Sequence, residues 1–139
     1  MKKKKPQKIL KKMQKGRIQG TEINRRISKQ NTYALKSLGS GRVTEFQIEA
    51  ARKSIKRMIK KKGELNIRVR PFHTLTKKAA GVRMGKGKGK VDHVIYPIKP
   101  GKVIFELKDD TIIPAMARKI LRQAMKKFTV PVGFVTLRD

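Results

Sequence analysis

The 139 residues contain no cysteine and no tryptophan, only nine acidic residues, and no apolar run near the roughly 18 residues that a membrane-spanning helix needs. Each shortage excludes something. Without cysteine there is no disulfide framework and no thiolate zinc site, so zinc fingers are excluded. The two histidines, His73 and His93, stand too far apart to form a local metal motif. The carboxylates are scattered, and only Asp109 and Asp110 are adjacent, where they precede a helix and favour the positive end of its dipole. No acid–base or nucleophile constellation is visible, so neither an enzyme nor a cofactor is expected. Aromatic residues make up 5% of the chain, which supplies a stacking platform for single strands poorly.

Cations are abundant. Lysine and arginine total 38, and the formal net charge is +29. Such an excess repels itself in a compact monomer unless a partner neutralises it, so a polyanion is expected to contribute to the stability of the fold. A nucleic-acid backbone suits this need, because each neutralised phosphate releases condensed counterions, with a salt slope of about −0.9 per contact on duplex DNA. The length allows one modest core with extensions. Residues 1–30 read as a basic RNA-binding arm and residues 31–139 as a single α+β domain. The lysine-dominated stretch Met1–Arg17 is expected to be disordered when free.

Glycine alternates with lysine in Arg83-Met84-Gly85-Lys86-Gly87-Lys88-Gly89-Lys90. Glycine lets the main chain approach a ligand closely, and each lysine adds a mobile ammonium that can follow phosphates. The plainer reading is a soluble Gly-Lys linker. A nucleotide-binding P-loop needs four residues between its glycines and then Lys-Ser or Lys-Thr, a register absent here.

The clearest helix runs from Thr44 to Lys62. Thr44 and Gln47 form a capping box, Gly63 suits a left-handed residue past the end, and Ile48, Ala51, Ile55, Met58 and Ile59 make one apolar stripe. The opposite face carries Arg52, Lys53, Lys56, Arg57, Lys60 and Lys61 with no carboxylate between them, so it reads as a phosphate-facing surface. Strict alternation over Glu64–Arg70 predicts a strand with Leu65, Ile67 and Val69 inward, and residues 72–81 read as a connection. Further strands are expected at Val91–Tyr96, at Val103–Lys108 with Val103, Phe105 and Leu107 inward, and at Gly133–Leu137. Pro114 opens a second amphipathic helix that Pro131 breaks. Residues 20–41 read as extended or irregular. The expected fold is α+β: a two-layer sandwich of two amphipathic helices on a small, mainly antiparallel sheet of about four strands, with a basic N-terminal arm and a Gly-Lys loop. A helix-turn-helix is excluded because three strands separate the helices, and backbone and shape recognition of folded RNA remains.

Five segments, in order, carry a resemblance to a known family. They are Lys12-Met13-Gln14-Lys15-Gly16-Arg17, Gly39-Ser40-Gly41-Arg42 with Gln47-Ile48-Glu49-Ala50-Ala51-Arg52, Ile67-Arg68-Val69, Val82 through Gly89, and Pro100-Gly101-Lys102-Val103 with Phe105-Glu106. Together they resemble the large-subunit ribosomal protein L-sixteen family of bacteria and organelles. The chain departs from that family at Asn66, where tryptophan is usual, at Arg70–Thr74 and over residues 18–32. The resemblance implies a non-enzymatic constituent of the large ribosomal subunit that binds rRNA near the peptidyl-transferase centre and contacts tRNA. Its implied partners are large-subunit rRNA, tRNA and neighbouring ribosomal proteins, with no membrane and no small-molecule substrate. It places the tRNA-proximal role on the loop Arg83, Met84, Gly85, Lys86, Gly87, Lys88 and Gly89. It places rRNA contacts on Lys12, Lys15, Arg17, Arg42, Arg52 and Arg68, to which the basic helix face adds Lys53, Lys56 and Arg57. The rival reading is a general RNA-coating or nucleoid-type protein without a fixed site. Heavy use of lysine and isoleucine, with the departures above, points to a mitochondrial ribosome first and to a plastid or bacterial one next.

Overall fold

The computed structural model describes residues 11–23, 32–60, 63–108 and 112–137. The expectations for Met1–Leu10, Ile27, Lys61 and the Asp109-Asp110 pair lie outside these residues. Two helices and seven strands follow in the order β1 (Thr32–Ser37), β2 (Gly41–Thr44), α1 (Glu45–Ile59), β3 (Glu64–Ile67), β4 (His73–Lys77), β5 (Lys90–Ile98), β6 (Val103–Lys108), α2 (Pro114–Met125) and β7 (Val132–Leu137). The class is α+β, but the strands form two sheets where one small sheet was expected. One runs β3-β6-β1-β7 and the other β2-β5-β4, with every neighbouring pair antiparallel.

Helix α1 starts where its capping chemistry requires. The Thr44 hydroxyl accepts from the Gln47 N–H at 3.3 Å, while the Gln47 side-chain oxygen accepts from the Thr44 N–H at 2.9 Å. Ile48, Ala51, Ile55 and Ile59 are buried, and each isoleucine removed from water contributes about 1.5–3 kcal/mol. The helix ends at Ile59, earlier than expected. Lys60 takes a positive φ of 59° directly after it, and Gly63 has the expected positive φ, at 78°. Helix α2 begins with Pro114 in its first turn and buries Ala117, Ile120, Leu121 and Ala124. It stops at Met125, before Pro131, and Phe128 still packs beyond its end with its ring 6.1 Å from that of Phe105.

The core lies where the two helices meet strands from both sheets: Leu35, Val43, Ile55, Ile98, Phe105 and Leu121 belong to one continuous cluster. Strand β6 is buried from Val103 through Leu107, so both its faces are covered, where alternation had suggested one. Strand β1, in the stretch expected to be extended or irregular, is central in its sheet, with Ala34 facing Glu106 on one side and Val135 on the other. Strand β3 is an edge strand ending at Ile67. Ile67 is 41% exposed, while Val69, beyond the strand, is buried. The stretch expected to be a connection contains β4, which pairs with β5 as a hairpin whose register shifts at Leu75 and Thr76.

Residues 11–23 are not a detached tail. The Thr74 hydroxyl donates to the Lys11 carbonyl at 2.8 Å, the Glu22 N–H donates to the Pro100 carbonyl at 2.9 Å, and the Lys102 ammonium meets the Glu22 carboxylate at 3.1 Å. They form a strap tied to β4 at one end and to the β5–β6 turn at the other.

Candidate nucleic-acid interface

The strap and the sheet edges enclose a cleft of about 620 Å³. Seven cations line it: Lys15 and Arg17 from the strap, Arg42 from β2, Arg68 and Arg70 from the segment after β3, and Lys99 and Lys102 from the β5–β6 turn. The one carboxylate on its wall, Glu22, is already paired with Lys102. The cleft is therefore a concentrated positive field, raised further by its low-dielectric walls.

The geometry of Arg42 shows how the cleft is held open. Its guanidinium donates to the carbonyls of Lys15, at 3.1 Å, and Gly16, at 2.5 Å, which fixes strap to sheet through neutral acceptors and leaves the positive charge uncancelled. Arg68 is held differently. Its Nε lies 3.6 Å from a carboxylate oxygen of Glu106, which is only 1% exposed on β6. A buried carboxylate thus sits behind the cleft and aims one guanidinium from below.

Four residues expected to contact rRNA, Lys15, Arg17, Arg42 and Arg68, come together in this cleft from positions spread over more than 50 residues. Lys12 does not join them. Its ammonium donates to the Lys88 carbonyl at 3.1 Å, and the Lys88 ammonium reaches back to the Met13 carbonyl, so strap and loop are tied together. The cations of α1 form a separate surface. Lys53 and Arg57 line a groove between α1 and α2 with Gln123 and Lys127, and Lys56 borders a hollow near Glu64.

No carboxylate stands between the basic residues of α1, as expected, but Arg52 is paired with one that precedes them. Glu49, one turn earlier, accepts two hydrogen bonds from its guanidinium, at 2.8 and 2.6 Å. That bidentate contact holds the Glu49 carboxyl below its ordinary value and pushes the Arg52 guanidinium up.

The glycine-lysine loop joins β4 to β5. Gly85, Lys86 and Gly87 take φ values of 99°, 51° and 84°, a run of left-handed backbone that the glycines make accessible. The Lys78 ammonium donates to the Gly85 carbonyl and supports the loop from beneath. Arg83 and Lys86 are exposed, and Met84 is 96% exposed at the tip. Of the seven loop residues expected to be tRNA-proximal, only Gly89 is partly covered.

Sequence reasoning did not select Arg70, Lys99 or Phe72 for the site. Arg70 was legible as the basic side of an alternating segment, and Lys99 flanks the Pro100-Gly101 turn, but only the fold brings them to one cleft.

The chain is an α+β body that gathers cations into a cleft and a loop, and its described residues hold no group of metal-ligating side chains and no helix long and apolar enough to cross a membrane. Comparison with known proteins gives the class a family. The model of the ribosomal protein L16p/L10e family matches residues 2–135. The chain is also 41% identical over 124 residues, 89% of each chain, to the large ribosomal subunit protein uL16 of Wigglesworthia glossinidia brevipalpis. It belongs to the ribosomal protein L16p/L10e family, whose members are structural components and not enzymes.

Proposed function

We propose that this chain, a structural protein of the large ribosomal subunit, binds large-subunit rRNA near the peptidyl-transferase centre and helps position tRNA through its Arg83–Lys90 loop. The observation that carries the rRNA part is the cleft, in which Lys15, Arg17, Arg42 and Arg68 converge with no unpaired carboxylate on the wall. Residues 1–30 act as an arm on RNA, and Lys53, Lys56 and Arg57 present a second basic surface. The exposed loop supports the tRNA part. Arg83, Met84 and Lys86 project from it, while Lys88 anchors it to the strap.

Replacing Arg83, Lys86 and Lys88 together with alanine should leave subunit assembly largely intact and weaken tRNA accommodation. Wild-type peptide synthesis by such ribosomes would contradict the tRNA role. Against the general RNA-coating reading, the chain should comigrate stoichiometrically with large subunits at moderate salt. The proposed compartment is the mitochondrion, with plastid and bacterial cytoplasm as the alternatives, and fractionation of the source cells decides among them.

A further inference from the structure

The cleft contains one side chain that phosphate binding does not explain. Phe72 is 64% exposed, yet it lines a cleft that seven cations share. Its backbone is fixed, because its N–H donates to the Ile95 carbonyl at 3.3 Å. Its ring is fixed too, standing edge-on to His73 at 5.6 Å between centroids and 80° between planes. Single exposed apolar side chains are ordinary, and Phe46 is 79% exposed, but Phe72 combines an open apolar ring with a place in the cationic cleft. Arg68 and Arg70 lie a few residues before it in the chain, and Arg42 of β2 lines the same cleft, so an apolar ring and three guanidinium groups share one site.

We infer that the cleft receives an unpaired nucleotide of RNA, its base stacked on Phe72 and its flanking phosphates held by Arg42, Arg68 and Arg70. A volume of about 620 Å³ falls within the range that encloses small-molecule-sized groups. The chemistry fits both halves of a nucleotide. An aromatic face accepts any base, and the guanidinium forks bind phosphate oxygens in pairs. A base still paired in a duplex cannot reach the ring, so the site selects single-stranded loops, bulges or ends. This inference rests on the rRNA-binding reading and narrows it to one kind of RNA element.

The absence of tryptophan elsewhere in the chain allows a direct test. In the full-length Phe72→Trp variant the only indole sits at the platform, and a stacked base quenches its fluorescence. Three probes are titrated at moderate salt: a short single-stranded oligoribonucleotide, an abasic strand with the same number of phosphates, and a duplex of the same length. The expected result is strong quenching by the base-bearing strand and little by the other two when each is bound. In parallel, Phe72→Ala should weaken the base-bearing strand about tenfold, the scale of one stacked base, and leave the abasic strand unchanged. Arg70→Gln should weaken both single strands alike. Because the ring is mostly exposed, these variants keep the core intact, and circular dichroism checks that they do. If all probes quench equally and Phe72→Ala discriminates none of them, the nucleotide site is overturned while RNA binding stands, and Phe72 is then a ring for a protein neighbour. If no probe binds, the rRNA reading itself falls and takes this inference with it.

Discussion

Lys12 and Lys88, 76 positions apart, each donate an ammonium to the other's stretch of backbone: Lys12 to the Lys88 carbonyl at 3.1 Å, and Lys88 to the Met13 carbonyl. Two like charges are tolerated side by side because each rests on a carbonyl dipole. The consequence is mechanical, since the loop reaching outward and the strap crossing the sheet move as one piece.

Removing one ammonium should uncouple them. Lys88→Met keeps the aliphatic stem and deletes the donor, so amide exchange over residues 13–17 should accelerate about fivefold, in line with one hydrogen bond worth about 1 kcal/mol. Exchange in α1 and α2 should not change. Hydrogen exchange read by mass spectrometry checks both.

The two ends of the glycine run should respond to alanine for different reasons. A Cβ on Gly89 would stand 2.4 Å from the Lys77 carbonyl oxygen and 2.7 Å from its carbon, atoms of the paired hairpin that cannot swing aside. A Cβ on Gly85 meets nothing within 4 Å, but its φ of 99° disfavours any side chain. Gly89→Ala should therefore cost about 1–3 kcal/mol through forced displacement, and Gly85→Ala about 1 kcal/mol through backbone strain alone. Thermal unfolding of the two variants gives the order.

Arg68 and Glu106 should behave as a coupled pair. Arg68→Met removes a partner from a carboxylate that is 1% exposed, and the loss should be about 1–3 kcal/mol, below that of a fully buried pair because the arginine side chain is 38% exposed. Adding Glu106→Gln should recover part of it, and the double-mutant cycle measures the coupling. Additive losses would show that the 3.6 Å approach is incidental.

Acid and alkali should each act through one group. The Glu49 carboxyl is lowered below 4.5 chiefly by its hydrogen bonds from Arg52. A carboxyl lowered on folding adds stability above its unfolded value and loses it as pH falls through the folded one. The difference between the wild type and Glu49→Gln should therefore be full near neutrality and vanish below that lowered value, with an amplitude of a few tenths of a kcal/mol for so exposed a pair. The Tyr96 hydroxyl is raised above 10 by burial first and by Glu45 and Glu49 next. Its neutral form favours the fold, so this contribution holds below pH 10 and is lost as pH rises through the raised value. Paired denaturant titrations across pH, with Tyr96→Phe as the alkaline control, check both directions.

What the sequence revealed follows how local each signal is. The capping box of Thr44 and Gln47 and the stripe of Ile48, Ile55 and Ile59 arise within a few turns of chain, so α1 could be placed from its residues. Strand β1 could not, because TYALKS is a strand only through its pairing with β6 and β7, each some 70 to 100 residues away. Strand β4, HTLTK, lacks apolar alternation and exists through its pairing with β5. The missed Glu49–Arg52 contact has another cause: a carboxylate one turn before the basic face was counted as outside it. The cations of the site were all visible, and their convergence was not, since Lys15, Arg42, Arg68 and Lys102 meet only after both sheets have formed.

The central claim is that RNA offsets the surplus of positive charge at a built site, and the salt dependence of binding to large-subunit rRNA tests it most directly. With about −0.7 expected per single-strand phosphate contact, several cleft and arm cations acting together predict a slope of log K against log salt of about −3 or steeper, and Arg42→Gln should make it shallower by roughly one contact. A flat slope, or a purified chain that is compact and heat-resistant alone and ignores that RNA at ordinary ionic strength, would contradict the account.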